Sequence, residues 1–515
     1  MSLTRAIATV GGFTLVSRVT GFVRDILIAA LLGAGPVADA FFVAFQLPNF
    51  FRRLTGEGAL TVAFVPLFAG RLETDGRERA VAFAAEVQAV LVAVLLAFLL
   101  AVEILMPWVI LVLAPGFADE PERYGLAVEL TRITFPYLPL ISLVALWGGI
   151  LNSLDRFWAM AAAPILLNLV LIAALATMAN VLETPGHALA WGVAAAGLAQ
   201  ALFLAEACRR EGALPRFRLP RLTPEVRQLL VLMLPAALGA GVVQVNAFIG
   251  VLLASLLPAG SVSFLYYADR VVQLPLGVVG VAIGTALLPM LSRQVRGGHD
   301  ADARDTQNRA LEMALLLTLP AAAALAVIAL PVTSVLFERG KFGAADSLAT
   351  AAAMAAYAGG LPAFVLIKVF QPGFFARRDT ATPVKVAACA VAANLAFNAL
   401  LMPTLQHVGI ALSTTLSAWL NAGLLAWLLM RRGHFRPDAR LRRRALRIAG
   451  AVAAMAAAVW AAAAGLEPWL TAGSVHGVAA LAVVIAVGLV VYGTAATLLG
   501  AARPAELKSA LRRRG

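Results

Sequence analysis

Nine charged residues lie inside stretches apolar enough to enter a bilayer: Arg18, Arg24, Asp25, Asp39, Arg52, Arg53, Glu57, Asp269 and Arg270. A charge near the bilayer centre costs at least about 2.5–3.5 kcal/mol, so such residues face a cavity or a partner. Their types narrow the chemistry. Five of the nine are arginines, and a guanidinium grips phosphate with a two-pronged fork that an ammonium cannot reproduce. Two readings compete. In the first the residues are structural ion pairs or snorkelling arginines: Arg53 and Glu57, four apart, can pair, and Arg18 and Asp25, seven apart, share a helical face. In the second they build a ligand-facing cationic site, which the adjacency of Arg52 and Arg53 favours because a structural pair does not need it. Lys368 is open between cavity and snorkel, and Glu129 with Arg132, three apart, reads as a local pair.

Other chemistry is scarce. The chain has no GxxxxGK[ST] phosphate loop. Its five histidines, His187, His299, His407, His434 and His476, show no ligand spacing in sequence. Cys208 and Cys389 fall in or near different expected helices and read as small packing residues. No catalytic set, metal site or cofactor is expected.

The elements that position these charges are membrane helices. With 61% hydrophobic and 13% charged residues and a mean hydropathy of +0.87, the 515-residue chain reads as all-α and polytopic. A transmembrane barrel would alternate polar and apolar residues in short pieces, and that pattern is absent. About fourteen spans are expected. The second, 37–70, is too long for a bilayer, so it must bend or line an aqueous space, with Pro48, Gly56 and Gly58 supplying a local break. Others run 122–152, 346–375, 381–402 and 407–430. The N-terminal apolar run continues past Arg18 and Arg24 and is expected to be the first span, not a cleaved signal.

The formal net charge of +13 is a topology signal. The even-numbered connections, Arg5 and the C-terminal tail hold most of the 41 lysines and arginines, whereas the odd-numbered connections hold only Arg123, Arg339 and Lys341. Both termini are therefore expected in the cytoplasm, and no nucleic-acid partner is expected. The chain also repeats weakly. LGAGPVADAFFVAFQLPNFF resembles LLPAGSVSFLYYADRVVQLPLGVV, sharing a glycine, an aromatic pair and Gln-Leu-Pro. Six helices per half, an even number, make the repeat parallel, as in transporters that rock two halves around a central site. The expected divisions are a six-helix half over 1–221, a second over 222–432, and two extra helices with a basic tail over 433–515.

The run from Ser17 to Pro66, with ERGKF and FFARRDTATPVK later, resembles the bacterial lipid II flippases (MurJ, also MviN) of the multidrug/oligosaccharidyl-lipid/polysaccharide exporter superfamily. The resemblance extends through the twelfth expected helix. It implies an inner-membrane transporter that moves a lipid-linked disaccharide-peptide diphosphate from the inner to the outer leaflet by alternating access. On that resemblance Arg18, Arg24, Arg52, Arg53 and Arg270 hold the diphosphate, with Lys368 a further cavity residue. Asp25, Asp39, Glu57 and Asp269 orient those arginines or help close the gate, and the extra helices form a groove for the polyprenyl tail. Some members are thought to use sodium at the seventh helix, but the seventh helix here has no acidic residue beyond Glu225 at its mouth.

Alternatives are an exporter of another polyprenyl-diphosphate glycan, a multidrug or cation exporter, and a non-transporting scaffold that recruits cell-wall synthesis proteins through its basic loops. Cavity carboxylates would have to dominate in a cation exporter, and a scaffold leaves the membrane arginines unexplained. The charge asymmetry makes a direct prediction. A reporter fused at Gly515 should read cytoplasmic and one near Gly186 external, and a periplasmic C-terminus would overturn the even helix count.

Overall fold

The structure, a computed structural model, describes residues 3–54, 60–470 and 474–502, with side chains described except at 3–8, 53–54, 235–243, 245–247, 278, 281–282 and 285. The described residues are helices and turns, with no strand among them. They fall in two compact units, Met1–Ser263 and Phe264–Gly515.

The first unit holds α1 (Leu3–Leu32), α2 (Pro36–Leu54), α3 (Leu60–Thr74), α4 (Arg77–Leu113), α5 (Pro121–Thr134), α6 (Tyr137–Ser153), α7 (Phe157–Met178), α8 (Pro185–Arg210), α9 (Pro224–Ser255) and the first turn of α10 (Ser261–Arg296). The second holds the rest of α10 with α11 (Asp300–Val327), α12 (Ala329–Phe337), α13 (Ala344–Ala358), α14 (Leu361–Phe375), α15 (Ala381–Arg431), α16 (Ala439–Gly465) and α17 (Val475–Leu498). Among the described residues, nine segments are long and apolar enough to cross a membrane.

Several expected spans are not single rods. The 37–70 span contains α2 and α3; Pro48 sits inside α2 without ending it, and the expected break at Gly56 and Gly58 lies outside the described residues. The 122–152 span is α5 and α6, parted at Phe135 and Pro136, where proline contributes no N–H to the ladder. The 346–375 span is α13 and α14, parted at Gly359 and Gly360. Buried backbone freed by a break must find partners. Here α15 supplies them: Thr415 Oγ1 donates to the Ala356 carbonyl at 2.7 Å and Trp419 Nε1 to the Gly359 carbonyl at 2.9 Å. A side chain at Gly360 would meet Thr415 Oγ1 at 2.7 Å, so glycine permits the approach. The expected spans 381–402 and 407–430 join end to end in α15, which leaves helical geometry at Gln406 (φ 49°, ψ −128°).

Polar side chains hold the first unit together, as expected where lipid supplies no hydrophobic drive between helices. Asn168 of α7 donates to the Ser17 carbonyl at 2.9 Å and to Thr20 Oγ1 at 3.2 Å, tying α7 to α1. Gln200 of α8 donates to the Ala163 carbonyl at 2.7 Å and accepts from Tyr137 at 3.2 Å. Trp147 Nε1 donates to Gln88 at 2.8 Å. Cys208 is buried as expected of a packing residue, but Cys389 is exposed on α15, whose outer face is apolar.

In the second unit, α16 and α17 dock on α11. Glu312, 4% exposed, accepts from Arg444 Nη1 at 2.6 Å, lies 3.5 Å from Arg440 Nε, and pairs with Arg309 one helical turn away. Arg309 also reaches Asp438, the N-cap of α16. Tyr492 of α17 donates to the Leu316 carbonyl at 2.6 Å.

The two ends of α15 are tied outside the apolar region. Asp379 accepts from the Thr382 hydroxyl at 2.6 Å and N–H at 2.9 Å, and from Arg432 Nη1 at 2.5 Å. The Thr382 hydroxyl most of all, then its N–H, outweigh the effect of burial and with Arg432 hold the Asp379 carboxyl down to about 2, below its ordinary 3.8. A depressed carboxyl stabilises above its ordinary value and loses that contribution as pH falls through the folded one. Asp379→Asn should therefore lower the melting temperature in detergent at neutral pH, and the gap from the parent should close between about pH 4 and pH 2. A gap that persists unchanged at the acid end would contradict this.

Candidate functional site

The expected charges do not all behave alike. Arg24 is 5% exposed. Its Nη2 is 2.6 Å from Asp25 Oδ1, its Nε is 3.0 Å from the same oxygen, and its Nη1 donates to Asn168 Oδ1 at 3.0 Å. The ion-pair reading thus describes Arg24 and Asp25, though through adjacent residues and not through the shared face with Arg18. Asn168 shows no charge and no motif in the sequence, so only the packing of α7 on α1 reveals it. Gly21 makes that packing close, since a side chain there would meet Asn168 Nδ2 at 3.3 Å. Arg18 is half-buried on α1.

Arg52 is half-buried at the end of α2, with Nε 3.3 Å from Asn49 Oδ1. Asn49 in turn donates to the Phe45 carbonyl at 2.9 Å, so the amide is fixed before it orients the arginine. In the second unit Arg270 is also half-buried; its Nη2 donates to Tyr266 Oη at 2.8 Å and its guanidinium stands 4.7 Å from that ring's centre. Asp269 beside it accepts from Gln273. Lys368 runs against α10: a side chain at Gly280 would meet its Nζ at 2.9 Å and Cδ at 3.1 Å. The side chain of Arg53 and the whole of Glu57 lie outside the described residues, and with them the expected Arg53–Glu57 pair.

Asp39 stands apart. It is fully buried, and its partner is Arg123 of α5, 2% exposed, with Nη2 2.5 Å from Asp39 Oδ2. The same carboxylate caps the first turn of α10. Oδ2 accepts from the Gly260 N–H at 2.7 Å, and Oδ1 accepts from the Ser263 N–H at 2.8 Å and hydroxyl at 2.5 Å. Gly260 has φ 96°, which L side chains rarely adopt. Arg123 also lies 3.9 Å from the centre of the Phe117 ring. Beside that ring, Gly116 comes so near the end of α9 that a side chain would meet the Ser255 carbonyl oxygen at 2.2 Å. A residue that the charge count assigns to an external connection is thus turned inward. The repeat held a hint, because the Gly260 turn corresponds to the Gly35 turn before Asp39.

Glu129 and Arg132 do not pair as the sequence suggests. Glu129 Oε1 faces His187 Nε2 at 3.3 Å, and Arg132 Nε donates to the Glu103 carbonyl at 3.3 Å.

Known proteins place these features in context. The profile of the family described as lipid II flippase MurJ matches residues 28–480. A probable lipid II flippase MurJ of Rhizobium meliloti is 49% identical over 466 residues, covering 90% of this chain and 87% of that protein. One from Rhizobium tropici is 44% identical over 521 residues, covering 100% of this chain and 97% of the other. A solved lipid II flippase MurJ in an inward closed conformation shares the fold with a TM-score of 0.79 at 23% identity, over 95% of this chain and 98% of that one. An inward-facing multidrug resistance MATE family transporter of the MOP superfamily gives 0.67 at 15% identity, over 81% and 94%. On the extent of the family match and the identity of these relatives, the chain belongs to the lipid II flippase MurJ family.

Proposed function

We propose that this protein moves lipid II, a polyprenyl-diphosphate-linked peptidoglycan precursor, from the inner to the outer leaflet by alternating access, as a transporter and not an enzyme. The observation that carries the reading is that Arg52 and Arg270, in a chain of this family, present half-buried guanidiniums steadied by Asn49 and Tyr266. A preset fork can replace part of the hydration that a diphosphate loses. Arg18 and Arg53 in the first unit and Lys368 in the second are further candidates for meeting the diphosphate, with Glu57 and Asp269 as orienting groups. Arg24 and Asp25 support it from behind by fixing α1 on α7. The arrangement proposed is six plus six plus two spans with both termini cytoplasmic, the last two flanking a groove for the polyprenyl tail. Cell-wall synthesis proteins are candidate partners for the basic cytoplasmic connections.

The Asp39 cluster serves, in this reading, as the latch of the external end. One carboxylate joins α2, α5 and the first turn of α10 through the bonds to Arg123, Gly260 and Ser263. Opening that end requires Asp39 to exchange those bonds for water.

Two measurements test these roles. In native mass spectrometry the parent should retain polyprenyl-diphosphate-linked sugars, and Arg52→Lys or Arg270→Lys should weaken retention about tenfold or more, the equivalent of about 1.4 kcal/mol. Arg442→Lys, on the exposed start of α16, should change nothing. Saturable binding of cationic drugs without binding of lipid-linked diphosphates would replace this reading with the exporter one. For the latch, Arg123→Ala strands the Asp39 charge at a cost of about 3–5 kcal/mol. In a Cys389→Ala background, Ser261→Cys should then react faster with an external, membrane-impermeant maleimide. Unchanged labelling would remove the latch.

A further inference from the structure

We propose a divalent transition-metal site, of the Zn²⁺ class, formed by His187, Glu129 and Glu183 where α5 meets the turn leading into α8. The ligand atoms of the three residues all lie within 4.8 Å of one another. Glu129 and Glu183 are exposed, whereas His187 is 5% exposed. Its Nε2 is buried and has no hydrogen-bond partner among the described residues, although Glu129 Oε1 is only 3.3 Å away. A buried ring nitrogen aimed at a carboxylate without bonding it is unsatisfied as it stands. An ion between them removes the conflict.

The spacing suits that ion. Two ligand atoms bound at about 2.0–2.2 Å to one tetrahedral ion stand about 3.4 Å apart, close to the observed nitrogen-to-oxygen distance. Glu183, exposed on the turn, has the freedom to bring its oxygen into the third position, and water completes the set. The ring is already oriented from its other side, since Nδ1 is 2.9 Å from Thr184 Oγ1. Thr184 also accepts the His187 main-chain N–H at 3.4 Å as the N-cap of α8. With that oxygen accepting from Nδ1–H as well, the Nε2 lone pair faces the carboxylates, which is the outer-shell arrangement that metal-binding imidazoles use. One imidazole with two carboxylates favours zinc over calcium or magnesium, which take oxygen sets. The two carboxylates also offset the positive end of α8, where a lone cation would be repelled. Occupancy would tie α5, which carries Arg123, to the start of α8.

The test uses the full-length, tag-free, metal-stripped protein in detergent. Titration calorimetry with ZnCl₂ should show one saturable site in the parent, and Co²⁺ should give the visible absorption of a low-coordinate ion. His187→Gln and Glu183→Gln should each weaken Zn²⁺ binding about tenfold or more. Glu183 is exposed, so its variant tests the site even if His187→Gln misfolds. Zinc binding unchanged by Glu183→Gln, or no saturable binding in the parent, overturns the proposal.

Discussion

The constraint on which the structure depends is that charge and backbone polarity cannot be left unmet in a medium without water. The Asp39 carboxylate states it most sharply. Fully buried, it is tolerated because one guanidinium, two main-chain N–H groups and a hydroxyl converge on its two oxygens. Coulomb attraction between buried ions barely offsets the loss of hydration unless the remaining lone pairs are also filled. The first turn of α10 fills them. That makes the bond pattern a statement about conformation: the charge is comfortable only while α2, α5 and the Gly260 turn are together.

The same constraint sorts the arginines. Arg24 meets its neighbour Asp25 and Asn168 of α7, and these contacts tie α1 to α7. Arg52 meets the Asn49 amide oxygen and Arg270 the Tyr266 hydroxyl. The interrupted helices follow one logic too, since the break between α13 and α14 is stable because Thr415 and Trp419 take up the freed carbonyls.

Helical class, membrane placement and the identity of the charged residues were legible in the sequence because hydropathy and charge are local properties. Partners were not, because they come from across the fold. Asp39 meets Arg123 across 84 positions and Ser263 across 224, and neither spacing leaves a periodic trace. Asn168 and Thr415 are ordinary polar residues in apolar runs, informative only once their neighbours are known. Local rules also misled: a three-residue spacing suggested Glu129 with Arg132, but Glu129 faces the buried imidazole of His187 instead. The division of long spans into α5 with α6 and α13 with α14 was masked by hydropathy that continues across the break, although Pro136, Gly359 and Gly360 mark the points.

The docking of α16 on α11 has a consequence for the order in which the chain is built. Glu312 meets Arg444 across 132 positions. At about 5–20 residues per second, a ribosome needs roughly 7–26 s to supply that second partner. During that interval the counter-ion of Glu312 on its own helix is Arg309, which is shared with Asp305 and later also reaches Asp438. The newly made α11 is therefore incompletely neutralised until the loop before α16 emerges, and the insertion machinery or the earlier helices must shelter it. A nascent chain stopped before Arg440 would hold this helix in that unfinished state, so assembly of the second unit is completed from its C-terminal side.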